Sequence, residues 1–331
     1  MICGMPLRFS RFALLAVGLL GSLWSAGGTA ALPPAGPPPL RVVVLSDFNG
    51  PYGSVTYPAA LSRTVQRTVN EWKPDLVLSA GDLIAGQKAS LSDARVRAMW
   101  AAFDREVGAP LKTAGSPFAF TLGNHDASLA RDRREAAAYW QAHVPALTYV
   151  DRRAFPFRYS FTFGGGRLFV AVLDASGPQV SPEQRTWLAG QLATPQAQAA
   201  GVRLVMGHLP LAGVSAGKNV AGEVIHDPTP LRQIMEQGRV LAYLSGHHAA
   251  YYPARLGGLN VLASGGIGGR DYVGVPGTAR STVTVLSVDT AAGHATFQTF
   301  DAETGQAVAT SALPTRISGL GGPLIRVDGF H

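Results

Sequence analysis

The sequence predicts an α/β domain, and three observations carry that expectation. Short apolar runs rich in β-branched and aliphatic residues alternate with longer amphipathic segments, the pattern of buried strands separated by helices. Of the 331 residues, 47% are hydrophobic and 15% charged, which supplies a large core and excludes a disordered chain. Glycine and proline number 39 and 23, so turns should be plentiful.

At the N-terminus, Arg8 and Arg11 flank the start of an apolar run over residues 12–24. Small residues come next, and Gly28-Thr29-Ala30 fits a small-x-small cleavage site. This is the layout of a secretory signal peptide over residues 1–30. It points to a secreted or periplasmic protein, with an N-terminal membrane anchor as the alternative. The run is shorter than the roughly 18 residues of a spanning helix, so the mature form is expected to be free of the membrane. Cys3, the single cysteine, would leave with the peptide. No intramolecular disulfide or cysteine zinc site can then form, which suits export to an oxidising compartment. The formal charge of +7 loses Arg8 and Arg11 on cleavage. What remains is a mild basic bias without the Lys/Arg run that signals nucleic-acid binding.

A proline-rich spacer occupies residues 31–40, and ordered structure is expected from Arg41. Strands are expected at 42–46, 76–80, 118–122, 168–173, 203–206, 240–244 and 259–263. Helices are expected at 57–72, 92–107, 131–142, 182–192 and 230–237. A hairpin closes the pattern, with strands at 281–288 and 294–300 around a turn containing Gly293. The domain so defined runs over 41–305. Residues 306–331, rich in Gly, Pro and small residues, are expected to form a poorly ordered C-terminal extension.

The informative residues stand at the strand ends. The endings are Asp47-Phe48-Asn49-Gly50, Gly81-Asp82, Gly123-Asn124-His125-Asp126, Gly207-His208 and Gly246-His247-His248. Ligands bind at the carboxyl edge of an α/β sheet, and glycine lets the backbone turn sharply there. One aspartate after a strand is ordinarily a turn or cap residue. Five such endings are different, for they gather four of the eight histidines. Carboxylate, amide carbonyl and neutral imidazole together suit divalent or trivalent first-row metals.

At these residues the chain resembles the calcineurin-like metallophosphoesterases, which include purple acid phosphatases and cyclic-nucleotide phosphodiesterases. The family pattern is Asp-x-His, Gly-Asp, Gly-Asn-His-Asp/Glu, His and Gly-His-x-His. It is met by Asp47-Phe48-Asn49, Gly81-Asp82, Gly123-Asn124-His125-Asp126, Gly207-His208 and Gly246-His247-His248-Ala249, within about 41–270. Ser181-Pro182-Glu183-Gln184 leading to Trp187-Leu188 also looks like a helix of the phosphatase and phosphodiesterase branches.

The resemblance implies a four-layer α-β-β-α sandwich of two mixed sheets, holding one or two metal ions. Asp82 would bridge the two. Asn124, His208 and His247 would complete the second site, and Asp47, Asn49 and Asp82 would form the first. Two positions depart from the pattern: Asn49 and Ala249 stand where the family has histidines. An amide carbonyl still binds a hard cation, so Asn49 should favour Mn, Mg, Fe or Ca over Zn. The identity stays open among these five, and the first site is expected to be the weaker. His248, His226 and Tyr52 are candidates to fill the place of the lost ligand, although neighbours on an extended segment point to opposite sides.

The implied activity is hydrolysis of a phosphomonoester or phosphodiester by activated water. His125 would act as general acid and Asp126 would orient it. The partner is a small phosphorylated substrate. Its further contacts are expected among His248, Arg270 and Tyr52, with Lys218 and Asn219 in a nearby loop. A nuclease would use the same chemistry but wants a basic patch. A metal- or phosphate-binding module that has lost catalysis is the alternative Ala249 raises, although the intact Asn124-His125-Asp126 argues for an enzyme.

Overall fold

The computed structural model describes Met1 and residues 36–331. The expected signal peptide and most of the proline-rich spacer lie outside the described residues. Among the described residues, fifteen strands build two mixed sheets. In the first, β1 (Leu40–Leu45), β2 (Leu76–Ser79) and β3 (Phe118–Phe120) run parallel. The antiparallel strands β11 (Thr282–Asp289), β12 (His294–Asp301) and β13 (Ala307–Val308) extend it beyond β1. In the second, β6 (Leu168–Val172), β7 (Val202–Met206), β8 (Ala242–Ser245) and β10 (Leu259–Ala263) are parallel. One side adds β5 (Arg158–Phe163) and β4 (Thr148–Ala154), and the other adds β9 (Tyr252–Leu256), β15 (Gly322–Arg326) and β14 (Arg316–Gly319).

The alternation along β1 shows why the sheets stack. Val42 and Val44 join the core shared with the second sheet, among Val170, Leu204 and Leu244. Val43 and Leu45 point the other way, toward Leu61 of α1 (Ala59–Arg67), Val96 of α2 (Asp93–Phe103) and Ala136 of α5 (Ala130–Ala142). Both faces of the strand are buried, so it reads as a continuous apolar run. Each such side chain contributes about 1.5–3 kcal/mol. Leu188 and Leu192 of α6 (Pro182–Leu192), with Leu231 and Met235 of α8 (Pro228–Gln237), join the core of the second sheet. The short helices α3 (Ala109–Thr113), α4 (Asn124–Ala127) and α7 (Pro195–Ala199) complete the set. The expected four-layer architecture is borne out.

The differences from expectation have local causes. The helices expected over 57–72 and 92–107 each finish in a wider helical turn, at Thr68–Trp72 and Asp104–Gly108. Strand β4 is a sheet edge with partly exposed side chains and mixes charged, polar and aromatic residues, while the buried β5 beside it interleaves Ser160 and Thr162 with aromatic residues, so no apolar run betrays either. The expectation of a poorly ordered tail over 306–331 is overturned. This segment supplies β13 to one sheet and the β14–β15 hairpin to the other, where Ile325 and Arg326 pair with Arg255 and Ala254. Phe330 is fully buried and exchanges two backbone hydrogen bonds with Ala295. Small residues there mark tight strand turns.

Candidate metal centre

The endings of β1, β2, β3, β7 and β8 converge. Backbone pairing ties the first two, with Asp47 N–H donating to Gly81 O at 2.9 Å and Phe48 N–H to Asp82 O at 2.9 Å. The loop after β8 joins them where His247 N–H donates to the Asp47 carboxylate at 3.0 Å. The loop after β3 joins where His125 N–H donates to Asp82 Oδ1 at 2.9 Å. Crowding explains two motif glycines. A Cβ on Gly123 would overlap the Asp82 carboxylate, and one on Gly81 would lie 2.7 Å from His208 Nδ1. Asp47, Asp82 and His247 take positive φ values of 52°, 58° and 64°, uncommon for residues with a side chain and concentrated at functional sites.

Ligand atoms of Asp82, His208 and His247 lie within 4.8 Å of one another. His208 Nδ1–H donates to Ala80 O at 2.7 Å, which turns Nε2 toward Asn124 Oδ1 at 3.0 Å and Asp82 Oδ2 at 3.3 Å. With a neutral imidazole all three of these atoms are acceptors. Their convergence calls for a cation, either a proton on His208 or a metal ion. Burial works to lower the His208 pKa, but Asp82, Asp47 and the Ala80 carbonyl raise it to about 9. Burial opposes ionisation of Asp82, and His208 nevertheless holds it below the usual carboxylate range. Asn124 is aimed by Gln87, whose Oε1 accepts from its Nδ2 at 2.7 Å. The donor set fits a metal ion.

The other half is sparser. Asp47 is buried, and burial together with Asp82 pushes its pKa up to about 6, with His208 opposing. Asn49 donates from Nδ2 to His125 Nδ1 at 3.2 Å. Ala249 occupies the place of the family's last histidine and lines the same cleft, of about 470 Å³, with Asp47, Asn49 and Asp82. Among the described residues, the cluster of three or more His, Cys, Asp or Glu ligands is Asp82, His208 and His247.

The sequence of this chain matches the calcineurin-like phosphoesterase family over residues 40–251. The chain belongs to that family. Solved structures agree in fold. A purple acid phosphatase from yellow lupin (Lupinus luteus) seeds superposes with a TM-score of 0.58 at 17% identity, covering 81% of this chain and 52% of its own. The chain thus spans about half the length of the lupin enzyme. A dimetal phosphatase from Danio rerio gives 0.50 at 15% identity, covering 76% and 93%. GAP50, the anchor in the inner membrane complex of Plasmodium, gives 0.54 at 14%, covering 82% and 88%. No curated protein matches the chain in sequence. No described helix is long and apolar enough to cross a membrane.

In this calcineurin-like phosphoesterase, Asp126 departs from its expected part. It is fully buried and accepts from the amides of Leu83, Ile84 and Gly123 at 2.8–3.1 Å. It braces two loops instead of orienting His125. The group that meets His125 is Asn49, and Tyr52, 55% exposed, stacks on its ring at 5.0 Å. The expectation of His248 as a replacement ligand or substrate contact also fails. Its ring is fully buried, with Nδ1 accepting from the Val214 and Ser215 amides at 3.1 Å and Nε2–H donating to Glu223 O at 3.0 Å. Burial pushes its pKa down to about 3. His226 is exposed and its amide donates to Pro178 O; it does not line the cleft.

Arg270 and Lys218 do line it, beside Tyr52 and His125. Two residues escaped sequence reasoning. Glu223 Oε2 accepts from His247 Nε2–H at 2.6 Å and pairs with Lys218 Nζ at 3.1 Å. Its hydrogen bond from His247 lowers its pKa to about 2. Gln87 is the other. Neither stands at a strand end or belongs to a motif, so no sequence signal marks them.

Proposed function

We propose that this protein is a secreted metal-dependent phosphoesterase, with His125 as the proton donor to the leaving oxygen. The observation that carries the reading is the convergence of Asp82 Oδ2, Asn124 Oδ1 and His208 Nε2, with His247 beside them, in a cleft that His125 also lines. Asp82, Asn124, His208 and His247 would hold one ion. Asp47, Asn49 and Asp82 would hold a second, weaker one, preferring Mn, Mg, Fe or Ca to Zn. Such an ion supplies Lewis-acid polarisation of the phosphoryl group and lowers the pKa of the attacking water.

The chain's own residues do the rest. Asn49 donates to His125 Nδ1, which leaves the imidazole proton on Nε2. That atom lies 3.9 Å from Asp82 Oδ2, at the centre of the site. Burial lowers the pKa of the His125 imidazolium, which makes the protonated ring the stronger acid toward a developing alkoxide, and in the neutral ring the Nε2–H stabilises that oxygen by a hydrogen bond. Tyr52 stacked on the ring holds its plane. Asp82 and Asp47 carry the negative charge that draws the ion in. Signal-peptide layout supports export, and a cleft lined by Lys218 and Arg270 matches small phosphate esters.

Hydrolysis of 4-nitrophenyl phosphate or bis(4-nitrophenyl) phosphate by the mature protein with added Mn²⁺, alongside elemental analysis, tests the reading. Turnover that tracks metal content is expected. A second reading, a binding module that keeps the scaffold and one ion, is favoured by Ala249 and Asn49 and by the likeness to GAP50, an anchor by name. Metal uptake without turnover under any divalent ion would select it.

A further inference from the structure

Ala249 leaves the first half of the cleft short of a cation-binding side chain, and two basic side chains line the same cleft. Lys218 closes a 3₁₀ turn (Ala216–Lys218) in the loop after β7. Its side chain is 17% exposed, and Nζ lies 3.1 Å from Glu223 Oε2 and 3.2 and 3.3 Å from the two ring nitrogens of His247. Arg270 comes after the glycines that end β10 and is exposed. Its guanidinium makes no hydrogen bond or ion pair with another described residue, and Nη1 lies 3.9 Å from where a Cβ on Gly217 would stand. Both line the two clefts that share Tyr52, His125 and His247.

The Lys218 loop is pinned from two sides. His248 grips it from below through the amides of Val214 and Ser215 and the carbonyl of Glu223. From above, the β14–β15 turn grips it. Leu320 N–H donates to Asn219 Oδ1 at 2.6 Å, and Gly213 N–H donates to Leu320 O at 2.7 Å. A solvated surface lysine has no such scaffold. Here the buried histidine and the C-terminal hairpin hold the ammonium where a phosphoryl group would enter.

We propose that Lys218 and Arg270 form a cationic clamp on the phosphoryl oxygens, in the cleft that they line together with His247 and Ala249, and that the clamp selects phosphomonoester dianions over phosphodiester monoanions. A monoester presents three non-bridging oxygens and two negative charges, a diester two oxygens and one charge. Two cations, one held by its loop and one free to close on the ester, therefore gain more from the monoester, through charge-assisted hydrogen bonds. Glu223 keeps Lys218 in place until an anion takes over part of its pairing. The proposal rests on the phosphoesterase reading above.

The experiment compares wild type with Lys218→Met, Lys218→Arg and Arg270→Met, all Mn²⁺-loaded, on 4-nitrophenyl phosphate and bis(4-nitrophenyl) phosphate. Inorganic phosphate binding is measured by calorimetry and metal content by elemental analysis. Lys218→Met is expected to lower kcat/KM for the monoester about 10- to 100-fold, with a much smaller loss for the diester. It should weaken phosphate binding by a similar factor and leave metal content unchanged. Lys218→Arg should restore most of both, and Arg270→Met should show the same pattern to a smaller extent. Equal losses on the two esters, or phosphate affinity unmoved by Lys218→Met, would overturn the clamp. If wild type hydrolyses neither ester, the phosphoesterase reading falls while calorimetry still decides. Phosphate binding that disappears in Lys218→Met then supports the clamp, and no phosphate binding by wild type refutes it.

Discussion

The two halves of the candidate centre are built from the same strand endings, yet they differ in the side chains they offer a metal ion. On the Asp82, Asn124, His208 and His247 side, every donor is aimed by a neighbour. Ala80 O orients His208, Gln87 orients Asn124, and the His125 amide holds Asp82. On the Asp47, Asn49 and Ala249 side, Asn49 is turned to His125 and Ala249 has no donor. The His247 amide also holds Asp47, so the halves differ less in how their side chains are held than in how many metal-binding atoms they offer. Lys218 and Arg270 line the cleft shared by the two halves, with Lys218 set against the His247 ring.

The contrast can be broken most severely at the richer half. His208→Ala, which removes one of three convergent atoms, should weaken metal binding by about 100-fold or more and abolish turnover, read by calorimetry and elemental analysis. His125→Ala should leave metal content as in wild type and lower kcat by about 10²- to 10⁴-fold; unchanged turnover would remove His125 from the chemistry. Asp126→Ala leaves the Leu83, Ile84 and Gly123 amides without their acceptor. It should cost about 2–4 kcal/mol of stability by urea unfolding, a loss that a role confined to His125 would not produce.

Ala249→His tests the poorer half directly. It should raise metal content toward two ions per chain and shift preference toward Zn. Two tightly bound ions already present in wild type would erase the asymmetry. The smallest effect concerns Asp47 in metal-free protein. Its pKa rises from 3.8 to about 6 through burial and Asp82, so its contribution to stability is full below the lower value and is lost as pH rises through the upper one. Asp47→Asn should therefore gain on wild type in melting temperature as pH rises from about 4 to 6 and keep that gain above it. Identical pH profiles would show that the carboxylate is not penalised.

Which side chains touch was not legible in the chain's order. Asp126 comes directly after His125, and adjacency suggested a pair. In the short helix Asn124–Ala127 the carboxylate turns back to the amides of Gly123, Leu83 and Ile84, because buried backbone donors need an acceptor, whereas His125 Nδ1 already meets Asn49. His248 sits next to His247, yet the two rings serve backbone and cleft respectively. Glu223 lies in a loop without regular pattern, and nothing local ties it to a histidine 24 positions away.

The α/β class, most buried strands, the five polar strand endings and the two missing histidines were determined by sequence alone. Those features depend on local hydrophobic pattern and on residue identity, which the chain states outright. Only the tertiary structure decided that residues 306–331 complete both sheets, that Asn49 and not Asp126 addresses His125, and that Lys218 stands against His247 and Glu223. These are contacts between segments far apart in the chain, made where sheets stack and loops cross. Their energies come from satisfying buried polar groups in a particular packing, and no local pattern encodes that.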